Sequence, residues 1–198
     1  MSYNDDAVFT AATGYIFTGP VGNAAPTPQE LTTLDFETYG VDDVESGWVT
    51  LGHTSEEDLP EFGFDGGDKE TRGTWQKKNL REVSTDTPVD YLLMRAQQFD
   101  SETLELYYGE NVSSEAGIYS VNSSDAPSLT RGLLLVLVDG PHRIGFYAPK
   151  TSIRRDDSIS LATDGFGTLP LRATLTKETG KPLFSWVLPH ELPETPEP

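Results

Sequence analysis

The chain has 198 residues, no cysteine and a formal net charge of −18 at pH 7. The missing cysteine excludes disulfides and thiolate metal sites, no stretch approaches the roughly 20 apolar residues of a membrane span, and the charge opposes binding to the phosphates of nucleic acid. The length favours one domain over residues 1–190, followed by an acidic, proline-rich tail at residues 191–198.

The first third of the chain is predicted to combine short strands with long irregular segments. Residues 7–19, AVFTAATGYIFTG, are rich in β-branched and aromatic residues, which favours a strand. Residues 20–45 begin with spaced prolines and predict a long irregular arm. A second strand is predicted at residues 46–55, followed by a loop at residues 55–73.

The charge of the chain is unevenly distributed. Residues 1–68 contain fourteen Asp or Glu and no Lys or Arg, whereas residues 69–198 contain eighteen acids and fourteen bases. Six of the acids fall in residues 56–68, interleaved with Phe62, Phe64 and three glycines. A metal loop, a solvated turn and a protein-binding surface all remain possible, although the order of the acids lacks the alternation of an EF-hand.

The rest of the chain predicts a mainly β protein, a β-sandwich or barrel with one flanking α-helix. Further strands are predicted at residues 72–84, 89–99, 117–121, 133–140, 142–149, 169–177 and 183–188. The run LLLVLV is apolar on both alternating faces, which is typical of a central strand covered on both sides. Asp139-Gly140-Pro141 follows it and predicts a hairpin.

One helix is predicted at residues 100–108. Asp100 or Ser101 can cap its start, and Gly109 can end it. Three apolar side chains should share one face of this helix. They are Leu104, Tyr107 and Tyr108.

Motifs for catalysis or metal binding are missing from the sequence. His53, His142 and His190 show no zinc-binding spacing, no serine lies in a GxSxG motif, and DGFG at residues 164–167 lacks the other kinase motifs and predicts a turn. We therefore expect no catalytic residue, no metal and no cofactor. Because a glycosidase-like carboxylate pair leaves no signature, a monomeric carbohydrate- or calcium-binding β-sandwich module or enzyme remains the alternative.

Four stretches together resemble one protein family. Residues 46–83, SGWVTLGHTSEEDLPEFGFDGGDKETRGTWQKKNLREV, are similar to the major tail proteins of long-tailed, non-contractile bacteriophages, particularly those that infect actinobacteria. TGYIFTGPVGNAAPTP, QFDSETLELYYG and GFYAPKTSIRRDDSISLATDGFGTLPLRATLT resemble further parts of that family. The resemblance extends over about residues 8–188.

The resemblance implies the phage tail tube fold, a β-sandwich with one flanking helix. Subunits of this family form hexameric rings that stack into a hollow tube, through which DNA passes without specific binding. By position, the loop at residues 55–73 would contact the adjacent ring and would be mobile before that contact. Its expected contact residues are Glu61, Phe62, Phe64, Asp65 and Asp68. We expect this chain to lack the C-terminal immunoglobulin-like domain of some members.

The resemblance also implies the partners and the location of the protein. Besides further copies of itself, we expect contacts with the tape measure protein, the tail terminator and the tail-tip proteins, but not with a membrane. The protein would be made in the host cytoplasm and end in the virion tail. We expect subunit or ring contacts at Lys77, Lys78, Arg81, Arg154 and Arg155, although local pairing with adjacent acids is an open alternative for these bases.

Overall fold

The computed structural model describes residues 8–41, 46–123 and 127–188. These residues form ten strands and two helices. In chain order they are β1 (Thr13–Gly19), α1 (Pro28–Thr33), β2 (Val49–Thr50), β3 (Glu61–Asp65), β4 (Lys69–Arg72), β5 (Arg81–Ser84), β6 (Val89–Ala96), α2 (Ser101–Tyr108), β7 (Leu129–Asp139), β8 (His142–Arg155), β9 (Leu169–Leu175) and β10 (Ser185–Val187). Neither helix is long and apolar enough to span a membrane.

Eight strands form one antiparallel sheet in the order β2-β1-β7-β8-β9-β6-β3, with β10 paired to β8. The chain after β2 links the β1 side of this sheet to β6. There the N–H of Ser55 donates to the carbonyl of Arg95 at 2.9 Å, and the N–H of Gln97 donates to that of His53 at 2.8 Å. The sheet therefore curls around a shared core, and the predicted mainly β sandwich or barrel with a flanking helix is confirmed.

The central strand β7 contributes to two hydrophobic cores, one on each face. Leu133 and Leu135 are buried in the main core, together with residues of β6, β8, β9 and α2. Leu134 and Val136 are buried in a second core on the opposite face. The predicted two-sided strand is confirmed, as is the hairpin that follows it, where Gly140 adopts a φ of 56°.

The predicted flanking helix is confirmed as α2. The Asp100 carboxylate accepts a hydrogen bond from the N–H of Thr103 at 2.9 Å, and Gly109 follows the last turn with a φ of 88°. Leu106 and Tyr107 are buried against the main core, while the predicted Leu104 and Tyr108 pack at its border. The Tyr107 hydroxyl donates to the carbonyl of Asp157 at 2.6 Å, and burial raises its pKa.

Two predicted strands are wrong, and a third is mostly so. Residues 72–84 contain the last residue of β4, a turn and β5, because Asn79 takes a left-handed φ of 58° and the apolar alternation stops at the polar run before it. Residues 117–121 are not a strand, because the Asn111 side chain bonds their backbone at Ile118 and Ser120. Within residues 46–55 only β2 is a strand.

Strand β8 is longer than predicted. The sequence suggests an end at Pro149, which has no N–H for a ladder hydrogen bond. Two residues of β8, Pro149 and Lys150, instead lie opposite the single residue Gly132 of β7, since Leu133 pairs with Ala148 and Arg131 with Thr151. This bulge accommodates the proline and lets the strand continue to Arg155.

The arm predicted to be irregular contains the short helix α1. Thr27 and Glu30 form a capping box at its start, and the hydrogen bond from the Thr27 backbone lowers the pKa of Glu30. Leu31 is buried in the second core, and the Trp48 indole N–H donates to the carbonyl of Ala24 at 2.9 Å. The arm is thus fixed to the sheet by contacts. Residues 42–45 of the predicted arm lie outside the described residues.

The double-sided packing of β7 predicts a large effect of one truncation. Leu134→Ala should lower the free energy of unfolding by about 2 to 5 kcal/mol, because Leu134 is fully buried and its removal leaves a cavity. Leu161→Ala is the control, since Leu161 is 77% exposed and its truncation should change the free energy of unfolding little. Urea unfolding of both variants measures the difference, and equal midpoints would contradict the assignment of the second core.

Candidate functional site

Residues 69–84 form an exposed two-stranded hairpin, called here the basic hairpin. Within the described residues its strands β4 and β5 pair only with each other, from Lys69 opposite Ser84 to Arg72 opposite Arg81. All its residues are exposed except the half-buried Val83. It carries five bases and two acids, a net charge of +3 in a chain of −18. The hairpin is therefore a cationic projection from an anionic subunit.

The tip of the basic hairpin presents a tryptophan to solvent. The Trp75 side chain is 97% exposed. The turn that holds it is closed by hydrogen bonds, since the N–H of Thr74 donates to the carbonyl of Lys77 at 2.8 Å and the N–H of Lys77 donates back at 3.2 Å. Large aromatic side chains dominate protein interfaces and are costly to leave in water. The geometry favours a contact with another molecule.

The root of the basic hairpin is fixed by hydrogen bonds around Asp68. The N–H of Asp68 donates to the Asp86 carboxylate at 2.8 Å, and its carbonyl accepts the Thr85 hydroxyl at 2.9 Å. Gly66 and Gly67 precede it with φ values of 75° and 80°, a backbone that residues with a Cβ rarely adopt. The glycines of the acidic stretch therefore end β3 in a turn, and the hydrogen bonds at the root fix the direction of the hairpin.

Two of the five bases of the basic hairpin pair with acids of the hairpin, and the other three form no ion pair within the described residues. Lys69 pairs with Glu82 at 3.6 Å, and Arg72 pairs with Glu70 at 3.1 Å. No ion pair is formed there by Lys77, Lys78 or Arg81. Arg81 also lies directly opposite Arg72, and like charges in that position destabilise a strand pair. An acidic partner would relieve this repulsion.

Residues 55–73, predicted as a loop, contain the strands β3 and β4. The five contact residues predicted there lie on the edge strand β3 and at the root of the basic hairpin. Phe62 packs on its own chain, with ring centroids 4.7 Å from Phe146 and 5.3 Å from Trp186. Phe64 is 68% exposed. Asp65 pairs with Arg172, whose guanidinium is stacked on Tyr91. Glu61 is exposed at the start of β3, and Asp68 holds the root.

The predicted interface bases separate into two groups. Lys77, Lys78 and Arg81 lie together on the basic hairpin. Arg154 and Arg155 lie at the exposed end of β8, where Arg154 is opposite Arg172 of β9. The structure thus brings together three of the five predicted bases, and their role in subunit contacts stays a prediction.

The acidic run before β3 forms a turn at the other end of β6. Asp58 pairs with Arg95 at 3.3 Å, and its N–H donates to the Ser55 hydroxyl at 3.1 Å. Glu56 and Glu57 are exposed and form no ion pair within the described part of the chain. No three His, Asp or Glu side chains of that part form a group that could hold a metal ion.

Trp75 is not among the contact residues that the sequence predicts. The sequence does contain a signal for Trp75, since GTWQKKN places one large aromatic residue between a glycine and a run of polar and basic residues. An isolated aromatic residue in such a segment has no apolar neighbours to pack against locally. It is then a candidate for an intermolecular contact.

Comparisons with known proteins agree with one another. The family model for phage tail tube proteins matches residues 1–197. The chain is 44% identical over 187 residues to the major tail protein Gp23 of Mycobacterium phage D29, which covers 94% of this chain and 93% of that protein. It is 43% identical over 199 residues to the major tail protein Gp23 of Mycobacterium phage L5, which covers all of both chains.

Proposed function

The chain belongs to the family of phage tail tube proteins, and we propose that it assembles into hexameric rings. It is a structural component of the virion tail. In the proposal the rings stack into a hollow tube that conducts phage DNA into the host. The observation that carries the proposal is the basic hairpin, whose exposed Trp75 and unpaired bases need a partner that the described subunit does not supply.

The sheet offers further surface for neighbouring subunits. The outer edges of β3 and β10 have no strand beside them within the described residues. Free edges of this kind invite pairing with another chain. A closed ring covers such edges, because every subunit contributes one edge and accepts another. We assign Glu61, Phe62, Phe64, Asp65 and Asp68 to contacts of this region, and Arg154 and Arg155 to subunit contacts elsewhere.

The charge of the subunit supports passage of DNA without binding. Six subunits of −18 give −108 per ring (6 × 18). Protein affinity for DNA comes mainly from Lys and Arg side chains that neutralise phosphates. If the basic hairpins are covered by contacts between subunits, the wall of the lumen is left net negative, and phosphate is repelled from it. A lumen lined mainly by Lys and Arg in a structure of the tube would contradict this part of the proposal.

The proposal assigns no catalytic residue, metal or cofactor to the protein. Its partners are other copies of itself, the tape measure protein, the tail terminator and the tail-tip proteins. Synthesis takes place in the host cytoplasm, and no membrane contact is involved. The high identity to structural tail proteins supports a non-enzymatic role.

Negative-stain microscopy and size-exclusion chromatography of the purified chain test the proposal. We expect rings or tubes at high protein concentration, and the same particles after EDTA treatment. A monomer at every concentration would contradict the proposal and favour a monomeric β-sandwich module. Disassembly by EDTA would indicate a metal site and contradict the assignment of a metal-free assembly.

A further inference from the structure

A cavity of about 280 Å³ lies between the start of β1 and the loop after β2. Its lining is mainly apolar and includes Ala11, Ala12, Leu59, Pro60, Leu135 and Leu137. Leu59 is 55% exposed. Glu56 also borders the cavity, and Glu57 and Asp58 follow it in the chain. Glu56 and Glu57 form no ion pair within the described residues, and an apolar recess beside two such acids complements an aromatic side chain that is followed by bases.

The cavity and the basic hairpin lie at opposite ends of strand β6. The hairpin enters β6 at Val89. The loop after β2, which borders the cavity, is held at the other end of β6, where Thr54 forms a bridge with Ala96 and Asp58 pairs with Arg95. Seven steps of about 3.3 Å along a strand separate these ends by about 23 Å. Surfaces placed in this way join copies head to tail, which is the geometry of an assembly that keeps growing.

We propose that this cavity is the docking site for the basic hairpin of a second copy, with Trp75 in the cavity. In this contact Lys77 and Lys78 of one copy lie beside Glu56 and Glu57 of the next. The inference rests on the proposed function and names the two surfaces that meet. It also accounts for the acidic run, which forms the charged border of an apolar recess.

Two other cavities fit this contact less well. A groove of about 240 Å³ is lined by aromatic rings, but it includes Phe64 and Asp90 and so lies at the root of the hairpin itself. Docking there would place both surfaces at the same end of the subunit. A cavity of about 260 Å³ beside α2 is bordered by Glu102, Glu105 and Arg131. There Arg131 pairs with Glu105 at 3.5 Å and would face the bases of the hairpin.

Crosslinking between two introduced cysteines tests the contact directly, because the chain has no cysteine of its own. The test variant combines Gln76→Cys at the hairpin tip with Leu59→Cys at the cavity, which leaves Trp75 and the acids in place. Treating its assembled tubes with a short bismaleimide should give a ladder of covalent oligomers on a denaturing gel. Each single variant should give dimers at most.

Two matched variants direct the same hairpin thiol to the other cavities. They combine Gln76→Cys with Phe184→Cys at the aromatic groove or with Val49→Cys at the cavity beside α2. Neither should give a ladder. A ladder from either of them, without one from the Leu59→Cys pair, would overturn the docking site while the proposed function stands. If the wild-type chain forms neither rings nor tubes, the proposed function fails, and the docking site fails with it.

Charge reversal gives a second test that does not depend on a crosslinker. Lys77→Glu with Lys78→Glu should raise the protein concentration needed for assembly by about tenfold, and so should Glu56→Lys with Glu57→Lys. The four substitutions in one chain should restore assembly to within about threefold of the wild type. Losses that simply add in the fourfold variant would overturn the pairing.

Discussion

Trp75→Ala is expected to leave the subunit folded but to abolish tube assembly. The indole is 97% exposed, so its removal should change the free energy of unfolding by no more than about 0.5 kcal/mol. Truncating a tryptophan at the centre of an interface costs about 2 kcal/mol or more. If two stacked hexameric rings make six such contacts, as proposed, the loss would reach about 12 kcal/mol per junction (6 × 2).

Urea unfolding measures the free energy of unfolding of the variant, and negative-stain microscopy of the same preparations shows whether tubes form. Trp75→Phe is the conservative control and should retain part of the assembly, because a phenyl ring still fills an apolar site. Phe166→Ala removes another exposed ring, 81% accessible and outside the hairpin, and should assemble like the wild type. Tubes formed by Trp75→Ala at the wild-type protein concentration would refute a central role for the indole.

The elements predicted correctly are those with strong local signals. LLLVLV is short, apolar on both alternating faces and followed by the turn residues Asp139-Gly140, which together favour a buried strand over a helix. Helix α2 has a capping Asp100 and a terminating Gly109. In these cases the neighbouring residues alone determine the backbone, so the prediction does not require knowledge of tertiary contacts.

The elements predicted incorrectly depend on contacts between distant segments or on side-chain hydrogen bonds. Helix α1 has only six residues, and its Leu31 is held by a core built from strands far away in the sequence. Its capping box at Thr27 and Glu30 was the local signal available. Only three of the thirteen residues at 72–84 are β-branched or aromatic, and the turn around Asn79 interrupts the segment.

The sequence indicates residues for the candidate site but not their arrangement, and their role in contacts stays a prediction. The sequence shows the acidic run and the bases that follow it, and both belong to the surfaces proposed here. That they lie at opposite ends of β6 depends on the bridge from Thr54 to Ala96, which has no sequence signature. The exposure of Trp75 likewise depends on the hairpin pairing with nothing else in the described chain.

Assembly is expected to respond to salt in two opposite phases. At about 10 mM salt the Debye length is about 30 Å, so repulsion from the proposed net charge of −108 per ring extends across the whole ring and opposes association. At about 150 mM the Debye length is about 8 Å, and most of this repulsion is screened. The protein concentration needed for assembly should therefore fall by about tenfold, which corresponds to only 1.4 kcal/mol.

At about 1 M salt the Debye length is about 3 Å, which is short enough to weaken the attraction between Lys77, Lys78 and their acidic partners. The concentration needed for assembly should then rise again. Lys77→Gln with Lys78→Gln should remove this rise, because those variants have no such pairs to screen, while the fall at low salt remains. Sedimentation of tubes across the salt series measures both phases. If the protein concentration needed for assembly instead rises steadily from the lowest salt, attraction between charges outweighs the net repulsion. The acidic surplus then does not limit assembly.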